Sequence, residues 1–105
     1  MKWPAIPKRL TAPGGEISVR IVAQPTNDAG AVAWGTWEES IRVIEIQKNV
    51  PVGFQWRVLF HEWGHAVIDD SGLKHLLTDE SQETLCDAFA TARWVEMQAR
   101  WRKRA

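Results

Sequence analysis

The chain has 105 residues, 45% of them hydrophobic, which is enough for one core and too few for two, so a single domain over residues 1–105 is predicted. Thirteen Lys and Arg balance thirteen Asp and Glu, so no net field draws the molecule to nucleic acid or anionic lipid, and neither is expected as a partner. The lone cysteine, Cys86, excludes an internal disulfide and a cysteine-built zinc cage, and with no apolar leader and no run of about 18 apolar residues it suits a cytoplasmic protein.

The opening stretch "MKWPAIPKRLTAPGGE" is broken by Pro4, Pro7 and Pro13 and is predicted to hold no regular element. In "EISVRIVA", Ile17, Val19 and Ile21 alternate with Ser18 and Arg20, the period of a strand with one buried face. "PTNDAG", Pro25 to Gly30, ends it with turn formers. "AVAWGTW" and "SIRVIEIQK" follow as two extended runs with a reversal at Glu38 and Glu39. Ile41 and Val43 would lie on one face of the last strand and Ile44 and Ile46 on the other, which predicts a strand covered on both sides.

After Pro51 the period becomes helical: Val58, Leu59, Trp63 and Val67 recur on one face until Gly72, a good terminator. A second helix is predicted to start at "TDESQ", capped by Thr78 or Asp79, with Leu85, Phe89, Ala92, Val95 and Ala99 as its apolar stripe. The order is that of an α+β domain, a small twisted sheet packed on one helix with a second, C-terminal helix beside it. Seven tryptophans without a tyrosine assign bulky packing in core and cleft walls to Trp. Arg100, Arg102, Lys103 and Arg104 complement the dipole at the end of the second helix.

The chemistry lies in "HEWGH". Residues four apart sit one above the other on a helix, so His61 and His65 can each offer a nitrogen to one ion, while Glu62, about 100° further round, can reach a water held there and act as general base. A catalytic zinc needs a third protein ligand. His75, Asp69, Asp70, Asp79, Glu80, Glu83 and Asp87 are the nearby candidates. Glu83 and Asp87 stand out because they too are four apart, on a helix long enough to cross the first; Glu83 can supply the ligand oxygen and Asp87 can accept a hydrogen bond from the outer nitrogen of His61 or His65. Gly64 inside the first helix costs about 1 kcal/mol against alanine, which close approach of another backbone would justify. Beside Asp87, Cys86 is read as a small buried side chain.

These residues resemble a known group. "HEWGH" and "ETLCDAFA", preceded by "GTWEESIRVIEI", look like the small gluzincin-type zinc metallopeptidases, the ImmA/IrrE-like and phage-encoded families. Gly35, Ile44, Ile46, His61, Glu62, Gly64, His65, Glu83, Asp87, Phe89 and Ala90 take the places of that pattern, from Trp34 into the second helix. The resemblance implies a minimal zincin-like domain holding one zinc ion on His61, His65 and Glu83, with Glu62 as base and Asp87 behind the ligands. Two departures stand out. "ATARWVEMQARW" replaces the family's usual downstream segment, with no sensor or DNA-binding domain after it. Gluzincins also set a tyrosine and a further histidine against the developing oxyanion, and here only His75 is left to serve.

The expected function is therefore zinc-dependent hydrolysis of a protein or peptide substrate, the substrate held along an exposed strand edge. The alternatives are a zinc-binding but non-catalytic regulatory or partner-binding module of mobile-element or phage type, and hydrolysis of a non-peptide amide. A catalytic site keeps one coordination position open, whereas a structural site is closed by protein.

Overall fold

The computed structural model describes residues 3–25 and 34–104, which form an α+β fold. Strands β1 (Arg9–Ala12), β2 (Gly15–Val22), β3 (Gly35–Glu38) and β4 (Val43–Gln47) make one mixed sheet in the order β1-β2-β4-β3. The two central strands, β2 and β4, run parallel, and each edge strand is antiparallel to its neighbour. Most of the turn expected at Pro25–Gly30, with the first residues of the "AVAWGTW" run, lies outside the described residues.

β1 sits in the stretch expected to hold no element. Its four residues fold back through Pro13 and Gly14 onto β2, and Gly15 enters that strand at φ 127°, a conformation suited to glycine. The inward alternation of β2 holds for Ile17, which opposes Leu10, and Val19, which pairs with Ile44, whereas Ile21, paired with Ile46, is half exposed, which corrects its expected place on the buried face. Ile17, Ile44 and Ile46 are fully buried beneath the first helix. Each such side chain contributes about 1.5–3 kcal/mol of transfer free energy.

The opposite face of the sheet carries Arg9, Glu16, Arg20 and Glu45, with only Val43 buried in β4, and Ile41 precedes the strand and is exposed. The prediction of a β4 covered on both sides is thus corrected. Among the described residues no helix packs on that face, so the sheet has a wet side and a dry side.

Helix α1 (Val52–Asp70) begins behind Pro51 and ends at Ser71, with Gly72 in the left-handed region at φ 73°. It lies between the sheet and helix α2 (Asp79–Arg104), which explains why it is buried on several sides: Val58, Leu59 and Ala66 join the core, and Gly53, Gly64 and Glu62 are also covered. Thr78 caps α2 by accepting a 3.0 Å hydrogen bond from the Ser81 amide.

The helices run antiparallel, with Trp94 donating to the Gly53 carbonyl at 2.7 Å and Cys86 seated against Gly64, where a methyl group would meet its Sγ at 3.1 Å. The buried face of α2 is Gln82, Cys86, Ala90 and the half-buried Trp94. The expected stripe is corrected: Leu85 and Val95 are half exposed, Ala92 and Ala99 are exposed, and only Phe89 is partly covered. Close approach at Gly64 selects small side chains for the contact, and the larger aliphatic ones turn outward.

A polar clasp fixes the end of α1. Arg42, at φ 53°, donates to both Asp70 oxygens at 2.8 and 2.9 Å and to the Gly15 and Glu16 carbonyls at 3.2 Å, while the Gly14 amide donates to Asp70 at 2.9 Å. One ion pair thereby joins the β1–β2 turn, the β3–β4 turn and α1. Among the described residues no helix is long and apolar enough to cross a membrane.

Candidate metal centre

α1 carries His61 and His65 on the side turned toward α2, with their Nε2 atoms 3.2 Å apart. Glu83 on α2 reaches across to both: Oε2 lies 3.0 Å from His61 Nε2 and Oε1 2.9 Å from His65 Nε2. Of the candidate third ligands, only Glu83 joins the histidines in a set whose donor atoms all lie within 4.8 Å of one another. Asp69 instead accepts from Trp37 Nε1 at 2.8 Å, Asp70 is held by Arg42, and Asp79 and Glu80 are exposed at the start of α2. His75 sits on an exposed 3₁₀ turn, Leu73–Leu76, and is not among the residues lining the cleft.

Asp87, one turn beyond Glu83, lies with Oδ1 2.8 Å from Nδ1 of His61. This contact decides the chemistry of the cluster. A neutral imidazole has one N–H; with that hydrogen on Nδ1 facing Asp87, His61 Nε2 presents a lone pair toward a carboxylate oxygen and a second imidazole. When His65 likewise carries its hydrogen on Nδ1, three donor atoms converge on one point, an arrangement that a cation can hold. Donors at about 2.0–2.1 Å from a tetrahedral zinc stand roughly 3.3–3.5 Å apart, and the separations of 2.9–3.2 Å differ from this by a few tenths of an ångström. The residues fit zinc.

Glu62 differs from these carboxylates. It is only 9% exposed, it has no hydrogen-bond partner among the described residues, and burial followed by the charge on Glu83 pushes its carboxyl up to about 8. Gly35 of β3 passes directly over it: a Cβ there would collide with Val58 and lie 3.3 Å from Glu62 Cγ. Cys86 is a poor ligand, since burial, then the charges of Glu83 and Glu62, push its thiol up to about 12.

The cleft over this cluster encloses about 710 Å³. Trp34 and Phe54, packed edge to face at 5.6 Å, form one wall, and Glu38, Glu39, Lys74 and Asp79 lie around the mouth. β3 is its rim. The Gln47 amide donates to the Trp34 carbonyl at 2.9 Å; by the alternation of an antiparallel ladder, Thr36 and Glu38 bond inward to β4, and the backbone groups of Gly35 and Trp37 point to the open side.

Two cleft residues escaped the sequence reading. Arg57, one helical turn before His61, lies 4.0 Å from Asp87 and 3.3 Å from the Thr91 hydroxyl, and its i−4 spacing was the available signal. Gln82 gave none, being one polar residue among the acids that open α2. Comparison of the chain with protein-family models, with curated proteins and with solved structures finds no match.

Proposed function

We propose that this chain is a zinc-dependent peptide hydrolase of gluzincin type, akin to the ImmA/IrrE-like and phage-encoded metallopeptidases, with His61, His65 and Glu83 as ligands and Glu62 as general base. The observation that carries the reading is the buried Glu62 carboxylate, left uncommitted beside a converging three-donor set. A structural zinc site would use a fourth protein donor and close the cleft.

His61, His65 and Glu83 would hold the zinc ion, which would supply Lewis acidity. Glu62 takes the proton from the attacking water and delivers it to the leaving amine. Its surroundings favour that role, because the carboxyl lies buried beside the ligand set with no hydrogen-bond partner among the described residues. Asp87 fixes the tautomer of His61, so that Nε2 faces the ligand set.

The outward backbone groups of Gly35 and Trp37 can pair with an extended peptide, and the Trp34–Phe54 pair offers an apolar surface beside them. The substrate is thus a peptide segment able to lie as an added strand. A free buried thiol at Cys86 agrees with a reducing, cytoplasmic location.

The test compares wild type with Glu62→Gln. Both should take up one zinc per chain, measured by elemental analysis, and only wild type should cleave members of a diverse peptide library read by mass spectrometry. Equal products from both proteins would exclude Glu62 as the base, and full zinc binding with no products from either would favour the non-catalytic module. No zinc uptake by wild type would remove the reading altogether.

A further inference from the structure

The Glu62 carboxylate is not the only uncommitted polar group in the cleft. Gln82 is 8% exposed, and it lines the cleft with Asp79 and Glu83 of its own helix and His65 and Asp69 of α1. Its backbone amide continues the helix by bonding to the Thr78 carbonyl at 2.9 Å, but its side-chain amide has no hydrogen-bond partner among the described residues. Those residues include no side-chain nitrogen or oxygen that is both fully enclosed and unpartnered, so the Gln82 amide opens onto the cleft it lines.

We infer that Gln82 is a catalytic residue whose side-chain N–H donates a hydrogen bond to the carbonyl oxygen of the substrate as that oxygen gains charge; the assignment rests on the peptidase reading above. The Gln82 amide gains no hydrogen bond from the fold that would favour it over an apolar residue of the same size, and it faces the cleft, where a ligand atom can replace water on it. The position is therefore poorly explained by packing and well explained by a polar atom that arrives with a ligand.

Three of the other side-chain donors lining the cleft have partners of their own, while Trp34 and Thr36 come from the rim segment instead of α2. Trp37 Nε1 bonds to Asp69 at 2.8 Å, Lys74 to Glu39 at 3.2 Å, and Arg57 lies against Asp87 and Thr91. The chain has no tyrosine, and His75 lies outside the cleft lining. As the water oxygen bonds to the carbonyl carbon, the π pair moves onto the carbonyl oxygen and a water proton passes to Glu62. Gln82 donates to that oxygen and keeps its own proton. When the C–N bond breaks, the electron pair returns to the carbonyl, the amine takes the proton from Glu62, and Gln82 is released unchanged. Loss of one such preorganised donor reduces turnover about 100- to 1,000-fold in other hydrolases.

The experiment uses zinc-loaded wild type, Gln82→Met and Gln82→Glu, with calorimetric titration of two probes. A panel of phosphinic tripeptides mimics the tetrahedral, charged carbonyl, whereas imidazole binds metal through nitrogen and presents no oxygen. Expected are equal zinc content, a melting temperature for Gln82→Met equal to or above wild type, unchanged imidazole affinity, and phosphinic peptide affinity about 100-fold weaker in both variants. In a peptide assay kcat falls and KM holds. Unchanged phosphinic affinity overturns the inference, as does loss of zinc or of imidazole affinity in step with it, which would mark a structural role. Wild type that binds zinc but no phosphinic peptide overturns the peptidase reading itself.

Discussion

Asp87 approaches His61 from behind, its Oδ1 2.8 Å from Nδ1, while Glu83, one turn earlier on the same helix, meets the front of the same ring with Oε2 3.0 Å from Nε2. One imidazole therefore separates two carboxylates, only one of which shares a point with His65. Glu83→Ala should abolish most zinc affinity. Asp87→Ala should weaken it by about 10- to 100-fold, as when the partner behind a ligand is removed. Competition titration against a chromogenic chelator distinguishes these, and equal losses would contradict the division of labour.

Glu62 makes stability depend on pH in the metal-free chain. Its carboxyl is raised from 4.5 to about 8 by burial and by Glu83, so the folded state holds this proton more tightly than the unfolded chain does. The resulting stabilisation is complete below about pH 4.5 and is lost as pH rises toward about 8. At about 1.4 kcal/mol per pH unit, Glu62→Gln should exceed wild type by on the order of 2–4 kcal/mol at pH 8–9, the difference closing in acid. Urea unfolding over a pH series, in the presence of chelator, measures it.

Gly35 sets the distance between the rim strand and α1. A methyl group there runs into Val58 and presses on the Glu45 carbonyl at 3.1 Å, and the latter is backbone that cannot rotate aside. Gly35→Ala should cost about 1–3 kcal/mol, as overpacking of a filled contact does. Peptide cleavage should fall further than stability alone accounts for, because β3 must lift away from Glu62. Activity measured well below the variant's own melting temperature separates the two effects.

Asp70→Asn should loosen the clasp on Arg42. The Arg42 hydrogen bonds hold the Asp70 carboxyl below its ordinary value of 3.8, so its contribution is present above that pH and disappears as the solution is acidified through the lowered value. The substitution should cost about 1–3 kcal/mol at pH 7. Thermal melts should converge with wild type in strong acid, and a constant gap down to pH 2 would assign the loss to packing.

What could be read from the sequence was whatever a short period or a fixed spacing encodes. His61 and His65 had to share a helix face, β2 had to bury Ile17 and Val19, and Thr78 and Gly72 marked helix ends. The buried face of α2 was hidden because hydrophobic periodicity favours Leu85 and Val95, whereas the contact at Gly64 admits Cys86 and Ala90. β1 escaped because four residues between prolines carry too little pattern. Gln82 was invisible for a different reason: what sets it apart is a covered side-chain amide with no hydrogen bond among the described residues, and only the folded structure reveals that.

Among the described residues, the three side chains of the candidate metal group come from one helical hairpin, between positions 61 and 83, and none comes from the sheet. The separation between the histidines and Glu83 is close to that between β2 and its partner β4, so loop-closure entropy alone ranks neither contact first, and whatever binds the hairpin would decide the order. An ion able to bind the hairpin early would draw α1 and α2 together before the strands have found their register. The centre would then serve as a folding nucleus as well as a reaction site, and the rim strand β3, attached to the sheet through β4 alone, would be the last wall raised around it.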